Sequence, residues 1–374
     1  MDDFEELNRY QDILGQLPML QGYTHLLYTF STPDGVSQNE VCAKLERAIV
    51  EIREQVPWMG GRVINYGKTN KCSGTYRVVS CPPPKRSIEV RDLSREAASY
   101  ADIKARKAPM SMLNSTLLTP VSSFPTRFED SDQDPAQVLR VQASIIKGGM
   151  IIDFAIHHNM ADGTGLYGLV RLVAAKMRGE SVSRAILREA NRDRRGLIPL
   201  LGPHEPLLDH GHHKRPPVTT KAPLITSPEP AAYHIFRITT RNIQKLKDLA
   251  SDGGRDKMEP NCLPSDNFSP AAPTPSFVSS DDAISAFIWQ RYAGVALARC
   301  PGRQTKEDEA RPSRFSRAVD GRRAAGLTRE YLGVTVHNAT SWLTLGELVR
   351  APLAHGKHPL KPLKLLPPKG PRWW

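Results

Sequence analysis

Between Gln38 and Gln55 apolar residues recur at three- and four-residue steps: Val41, Leu45, Ala48, Ile49 and Ile52, followed by Val56, with charges between them. That spacing predicts an amphipathic helix that buries one stripe. Pro57 ends it, since proline lacks the amide hydrogen a helix needs. Gly60-Gly61 then turns the chain into a strand at Arg62–Tyr66, and residues 24–30 upstream also have strand composition. Residues 138–147 and 150–157 predict a hairpin about Lys147-Gly148-Gly149, where glycine accepts positive φ without steric penalty. In its second strand Met150, Ile152, Phe154 and Ile156 share one face, and Ile151, Asp153 and Ala155 the other. His158 stands where that strand ends. Asp162-Gly163-Thr164-Gly165 breaks the chain before a helix at residues 166–178, apolar through Leu169, Leu172, Val173 and Met177.

The second half is less regular. Residues 179–222 are basic and proline-rich and predict a long crossover between two domains. A strand is expected at 233–239 and a helix at 242–250, then a polar loop through Phe277. Ser279-Ser280-Asp281-Asp282 has the chemistry of a helix start, a hydroxyl cap followed by acids at the positive end of the dipole. The helix continues through Ile284, Phe287, Ile288 and Val295, and another strand is expected at 331–340. After Leu353 prolines alternate with lysines, which sustains neither helix nor central strand, so that tail is expected to be disordered. The resulting division is a first domain at 1–178, a crossover at 179–222, a second domain at 223–353 and a tail at 354–374.

A chain of 374 residues with 40% hydrophobic and 24% charged residues has the composition of a globular protein of two ordinary domains. The formal net charge of +12 favours polyanionic ligands, either a phosphate-bearing cofactor or nucleic acid. Cys42, Cys72, Cys81, Cys262 and Cys300 are scattered without a CxxC pair, which excludes a disulfide scaffold or a thiolate zinc site. The acidic start and the lack of a long apolar run predict a cytoplasmic protein that does not engage a membrane.

His157-His158-Asn159-Met160-Ala161-Asp162-Gly163 is the segment that folding alone explains least. An imidazole at the end of an apolar strand can accept a proton from an alcohol or amine at neutral pH. An acid four residues on can hold the loop, and Gly163 allows a close turn into the next helix. The structural alternative is a buried histidine and a capping aspartate. A zinc site through both histidines is disfavoured because neighbours on a strand face opposite ways. His204, His210, His212 and His213 lie in the crossover without cysteines or paired acids, so no metal is expected. The arginines at 192–195 and 311–323 lack interleaved aromatics and form no nucleic-acid module; most are expected on a solvated face, with phosphate binding the alternative. Ser279 and Ser280 cap a helix whose N-terminus is a candidate site for a phosphate or pantetheine group.

The motif HHNMADG resembles the HHxxxDG signature of the BAHD acyl-CoA-dependent acyltransferases and their chloramphenicol-acetyltransferase-like relatives. IIKGGMIIDFAI before it, SDDAISAFIW at 280–289 and SRAVDGRR at 316–323 resemble the fungal branch that includes trichothecene 3-O-acetyltransferases. The similarity runs in order from about Leu17 to Leu353. It implies an α/β fold of two domains, mixed sheets flanked by helices, with a channel between the domains. It implies transfer of a short acyl group, acetyl-CoA being the expected donor, to a hydroxyl of a small secondary metabolite by a monomer. His158 would be the general base, Asp162 its organiser, paired with Arg322, and no covalent acyl-enzyme would form. The family's second signature, DFGWG, has no counterpart, and Tyr331-Leu332-Gly333-Val334 stands for a Tyr-Phe-Gly-Asn-like segment. A chain truncated near Leu353 would leave a sheet edge unpaired. A non-catalytic remnant or binding protein of this fold, and a basic polyanion-binding protein, are therefore the alternatives.

Overall fold

The computed structural model describes residues 7–82, 84–123, 130–198, 202, 204–206, 235–252, 278–299 and 305–350. Outside these fall His210, His212 and His213, the polar loop before Phe277, Cys262, Cys300 and the tail beyond Leu353.

The first helix, α1 (Gln38–Gln55), has the predicted bounds, capped by Ser37, whose hydroxyl accepts the Glu40 amide. Leu45, Ile49 and Ile52 on its apolar stripe are fully buried. Strands β1 (Tyr23–Ser31) and β2 (Arg62–Tyr66) follow expectation. Two short strands, β3 (Thr75–Val79) and β4 (Glu89–Asp92), were not expected. Strands β5 (Leu139–Ile146) and β6 (Gly149–His157) form the predicted hairpin. Gly149 already pairs with Ile146, so the turn is Lys147-Gly148, with Gly148 at φ 75°.

The main sheet has the order β1-β6-β5-β4, antiparallel except for the parallel β4–β5 pair, while β2 and β3 pair separately. All nine residues of β6 are buried because both faces of the sheet are covered. Met150, Ile152, Phe154 and Ile156 join a core with α1 and with Leu166, Leu169 and Val173 of α4 (Gly163–Met177). Ile151 packs on the other side with Ile103 of α2 (Tyr100–Ala105) and Leu118 of α3 (Ser115–Leu118). Each such fully buried aliphatic side chain contributes about 1.5–3 kcal/mol. β6 is therefore a rigid base for whatever stands at its end.

The described residues fall into two compact units, and these are not linear halves. The first draws on the described residues between 7 and 205 and also Asp320–His337; the second draws on the described residues between 236 and 319 and on residues 338–350. The crossover contains a helix, α5 (Arg184–Ala190), within the first unit. In the second, α6 (Thr240–Asp252) and α7 (Ser280–Ala298) precede the short α8 (Lys306–Ala310), strands β7 (Pro312–Asp320) and β8 (Val336–Thr344), and α9 (Leu345–Arg350).

Several expectations need correcting here. Residues 235–239 carry no regular structure. The helix expected through Ile284, Phe287, Ile288 and Val295 is present as α7; its packed face is Trp289, Ala293 and Leu297, against Leu345 and Leu348, while Ile288 and Val295 are exposed. The run at 311–323 is largely β7; Arg311, Arg314 and Arg323 are exposed, as expected for most of its charges, whereas Arg317 bridges Asp281 and Asp282 and Arg322 is buried. The last strand begins at Val336, because the backbone of 331–335 is engaged elsewhere.

Candidate active site

Residues 157–162 join the end of β6 to α4. The His157 amide donates to the Val138 carbonyl and the His158 amide to that of Gly22, both at 2.8 Å, so strand-like pairing carries the two histidines to the edge of the sheet. Their rings differ in environment. His157 is buried, with its ring edge-on to Tyr23 at 5.1 Å, and burial, helped by neighbouring His158, pushes its pKa down to about 3. It is a neutral core residue. His158 is only half-buried; its Nδ1 is sealed without a hydrogen-bond partner, whereas Nε2 is not sealed.

Asp162 is both the capping residue and the partner in an ion pair. As N-cap of α4 its Oδ1 accepts the Gly165 amide at 2.8 Å. The same carboxylate takes a bidentate pair from Arg322, Nη2 to Oδ1 at 2.8 Å and Nη1 to Oδ2 at 3.0 Å. The Thr335 amide adds a bond to Oδ2 at 2.9 Å. Arg322 also donates to the carbonyls of Tyr331 and Gly333 and to Thr335 Oγ1. This is why residues 331–335 cannot form a ladder: their carbonyls and amides already hold the ion pair. Asp320 is a second acceptor for Arg322 at 2.9 Å; burial would raise its pKa, but the bonds from Arg322 outweigh that and hold it below the usual range. Burial likewise opposes the charge of Arg322, and the two carboxylates reverse that effect, so its pKa is raised.

The glycine that permits close packing is Gly165 rather than Gly163. A Cβ on Gly165 would lie 2.1 Å from the Leu332 carbonyl oxygen, whereas one on Gly163 would meet open space. Gly163 and Gly165 both sit in the first turn of α4, so the helix starts three residues earlier than the pattern suggested.

Three contacts were not foreseen. Asn159 Nδ2 donates to the Gly15 carbonyl. The Met160 carbonyl accepts from Arg194 Nη1 at 2.7 Å. Asp12 lies 3.5 Å from that guanidinium and accepts the Gly15 amide; burial pushes its carboxyl up to about 6. Arg194 is 2% exposed and is the exception to the solvated reading of this stretch; Arg192 and Arg195 keep partly solvated side chains and pair with Glu189 and Asp193. Nothing in the local sequence marks Asp12 or Thr335 as the residues that meet Arg194 and Asp162 far along the chain.

In the second unit, Ser279 serves as a cap: its Oγ accepts the Asp282 amide at 3.0 Å and donates to that carboxylate at 2.7 Å. Asp281 and Asp282 give this N-terminus a negative character unsuited to phosphate. Among the described residues no group of three or more metal-ligating side chains comes together. No described helix is long and apolar enough to cross a membrane.

Residues 22–176 match the Trichothecene 3-O-acetyltransferase-like N-terminal domain, and residues 113–357 match the Transferase family. The chain is 48% identical to the O-acetyltransferase azaD of Aspergillus niger over 351 residues, 94% of this chain and 71% of that protein. It is 39% identical to the O-acyltransferase pigD of Monascus ruber over 361 residues, 96% of this chain and 75% of that one. Among solved structures, F. graminearum TRI101 complexed with coenzyme A and deoxynivalenol matches with a TM-score of 0.75 and 26% identity, covering 91% of this chain and 70% of the other.

Proposed function

The chain belongs to the Transferase family of acyltransferases and carries its trichothecene 3-O-acetyltransferase-like N-terminal domain, and on that premise we propose a reaction and a base. The reaction is transfer of an acyl group from coenzyme A to a hydroxyl of a small secondary metabolite, and His158 is the general base. The observation that carries the assignment is the occupancy of Asp162. Its two oxygens already accept from Arg322, Gly165 and Thr335, so it has no role to spare as base or nucleophile. His157 is buried and neutral, which leaves His158 as the uncommitted titratable group of the loop.

In this reading His158 Nε2 takes the proton of the acceptor hydroxyl. The oxygen bonds to the thioester carbonyl carbon, giving a tetrahedral oxyanion that hydrogen-bond donors must stabilise. Collapse breaks the C–S bond, and the departing thiolate takes the proton from the imidazolium, so the products are an ester and coenzyme A. Acetyl is the proposed acyl group, supported by the name of the O-acetyltransferase azaD. Of Ser279 and Ser280, the first is committed to its cap and the second is the one proposed to meet the neutral pantetheine arm; Asp281 and Asp282 beside it disfavour a phosphate. The polyanion alternative loses support because the chain belongs to an acyltransferase family.

The test is release of free thiol from acetyl-CoA by purified protein with a panel of alcohols, beside His158→Ala. Loss of the base is expected to slow acceptor-dependent release by about 10²–10⁴-fold. An unchanged rate in the variant would remove His158 from the role. No release from folded protein with any acyl-CoA, and no coenzyme A binding, would support the non-catalytic alternative.

A further inference from the structure

Besides the backbone bond from His158 to Gly22, side chains hold the loop that presents His158 at three points, and the Asp162–Arg322 pair accounts for one. The second is the Asn159 amide on the Gly15 carbonyl, and the third is Arg194 on the Met160 carbonyl at 2.7 Å. Asp12 joins these two: it accepts the Gly15 amide and stands 3.5 Å from Arg194, so one carboxylate braces both contacts. Arg194 is itself fixed from several sides. Its backbone amide donates to the Arg9 carbonyl at 2.8 Å, and its guanidinium lies over Trp58 at 4.4 Å and Tyr331 at 5.7 Å. Trp58 is tied in turn by its Nε1 to the Ala190 carbonyl at 3.0 Å.

Stability alone is a weak reason for this arrangement. A buried ion pair contributes little net free energy, and apolar groups of the same volume often serve as well. Arg194 Nε and Nη2 have no oxygen partner, which adds to the expense of burying the charge. What an apolar side chain cannot supply is the directed bond to the Met160 carbonyl, two residues beyond the catalytic candidate. A planar guanidinium stacked on an indole loses little further freedom in making it.

We propose that Arg194, braced by Asp12, is a positioning residue: a second clamp, separate from Asp162–Arg322, that holds the His158 loop in register for proton transfer. The proposal rests on the reading of His158 as the base. Arg194, 2% exposed, acts through the backbone of Met160.

The experiment compares Arg194→Met, Arg194→Lys and Asp12→Asn in the full chain, by thiol release and by hydrogen exchange of a peptide spanning 157–162. Arg194→Met is expected to lower kcat by about 10- to 100-fold, the scale of a misplacement near 1 Å, with KM for both substrates within about twofold. Arg194→Lys, which keeps a charged donor, is expected to recover most of that loss. Exchange in the 157–162 peptide should quicken in Arg194→Met while the α1 and β5 peptides keep their protection. A merely structural role would instead raise exchange everywhere and leave kcat of the folded fraction unchanged; that result overturns the proposal, as does a change confined to KM. Should Arg194→Met fail to fold, Asp12→Asn, nearly isosteric, carries the same expectations at reduced size. Wild-type turnover that is lost in His158→Ala but kept in all three variants would refute the clamp alone. An inactive wild type would refute the base, and the local exchange pattern would still decide whether the clamp exists.

Discussion

Removing Arg322 tests the central claim about the site, that one buried guanidinium ties the motif loop to residues 331–335. Arg322 and Asp162 side chains are 3% and 2% exposed, and the pair is bidentate. Arg322→Met keeps much of the aliphatic volume but strands the Asp162 carboxylate with only the Gly165 and Thr335 donors. Breaking a buried pair by removing one partner costs about 3–5 kcal/mol. The carbonyls of Tyr331 and Gly333 lose their donor as well, at about 1–3 kcal/mol each where water cannot enter. A loss on the order of 5 kcal/mol is therefore expected, comparable to the whole stability of many domains. Asp162→Asn keeps the capping oxygen and removes the charge, so its cost should be smaller, and the double variant should lose about 1–3 kcal/mol less than the sum of the singles. Urea unfolding followed by circular dichroism measures all four proteins, with exchange of the 157–162 peptide locating the change. Additive single effects, or a cost under about 1 kcal/mol for Arg322→Met, would refute the description of this pair as the loop's anchor.

Two further outcomes follow from the same geometry. His157 has a folded pKa of about 3 against 6.5 for an unfolded imidazole, so the native state binds fewer protons between those values. Its contribution is full above pH 6.5 and declines as pH falls; His157→Gln should thus lose about 2 kcal/mol less than wild type between pH 7.5 and 5 in matched urea titrations, and equal losses would contradict a buried neutral ring. Gly165→Ala should cost about 1–3 kcal/mol by forcing α4 away from the Leu332 carbonyl, whereas Gly163→Ala should be tolerated; thermal melts of the two side by side check this, and equal midpoints would refute the close approach.

Local pattern alone determined a good part of this protein. The three- and four-residue repeat defines α1, the two glycines after Lys147 define the hairpin, and Ser279 with its acids defines the start of α7. Each is decided by interactions within a few residues, so each is written in adjacent letters. The motif placed His158 correctly at the end of β6, and the resemblance supplied Arg322 as the partner of Asp162. What no local pattern carries is the set of contacts between distant segments. Arg322 lies 160 residues from Asp162, and Met160 lies 34 from Arg194. Residues 331–335 read as a strand because their side chains suit one, yet their backbone donors and acceptors serve an ion pair instead. Arg194 reads as a solvated charge because an arginine's burial depends on what folds over it. Tertiary structure decided these points because a buried charge is admissible only where distant groups arrive to satisfy it, and that arrival is a property of the whole fold.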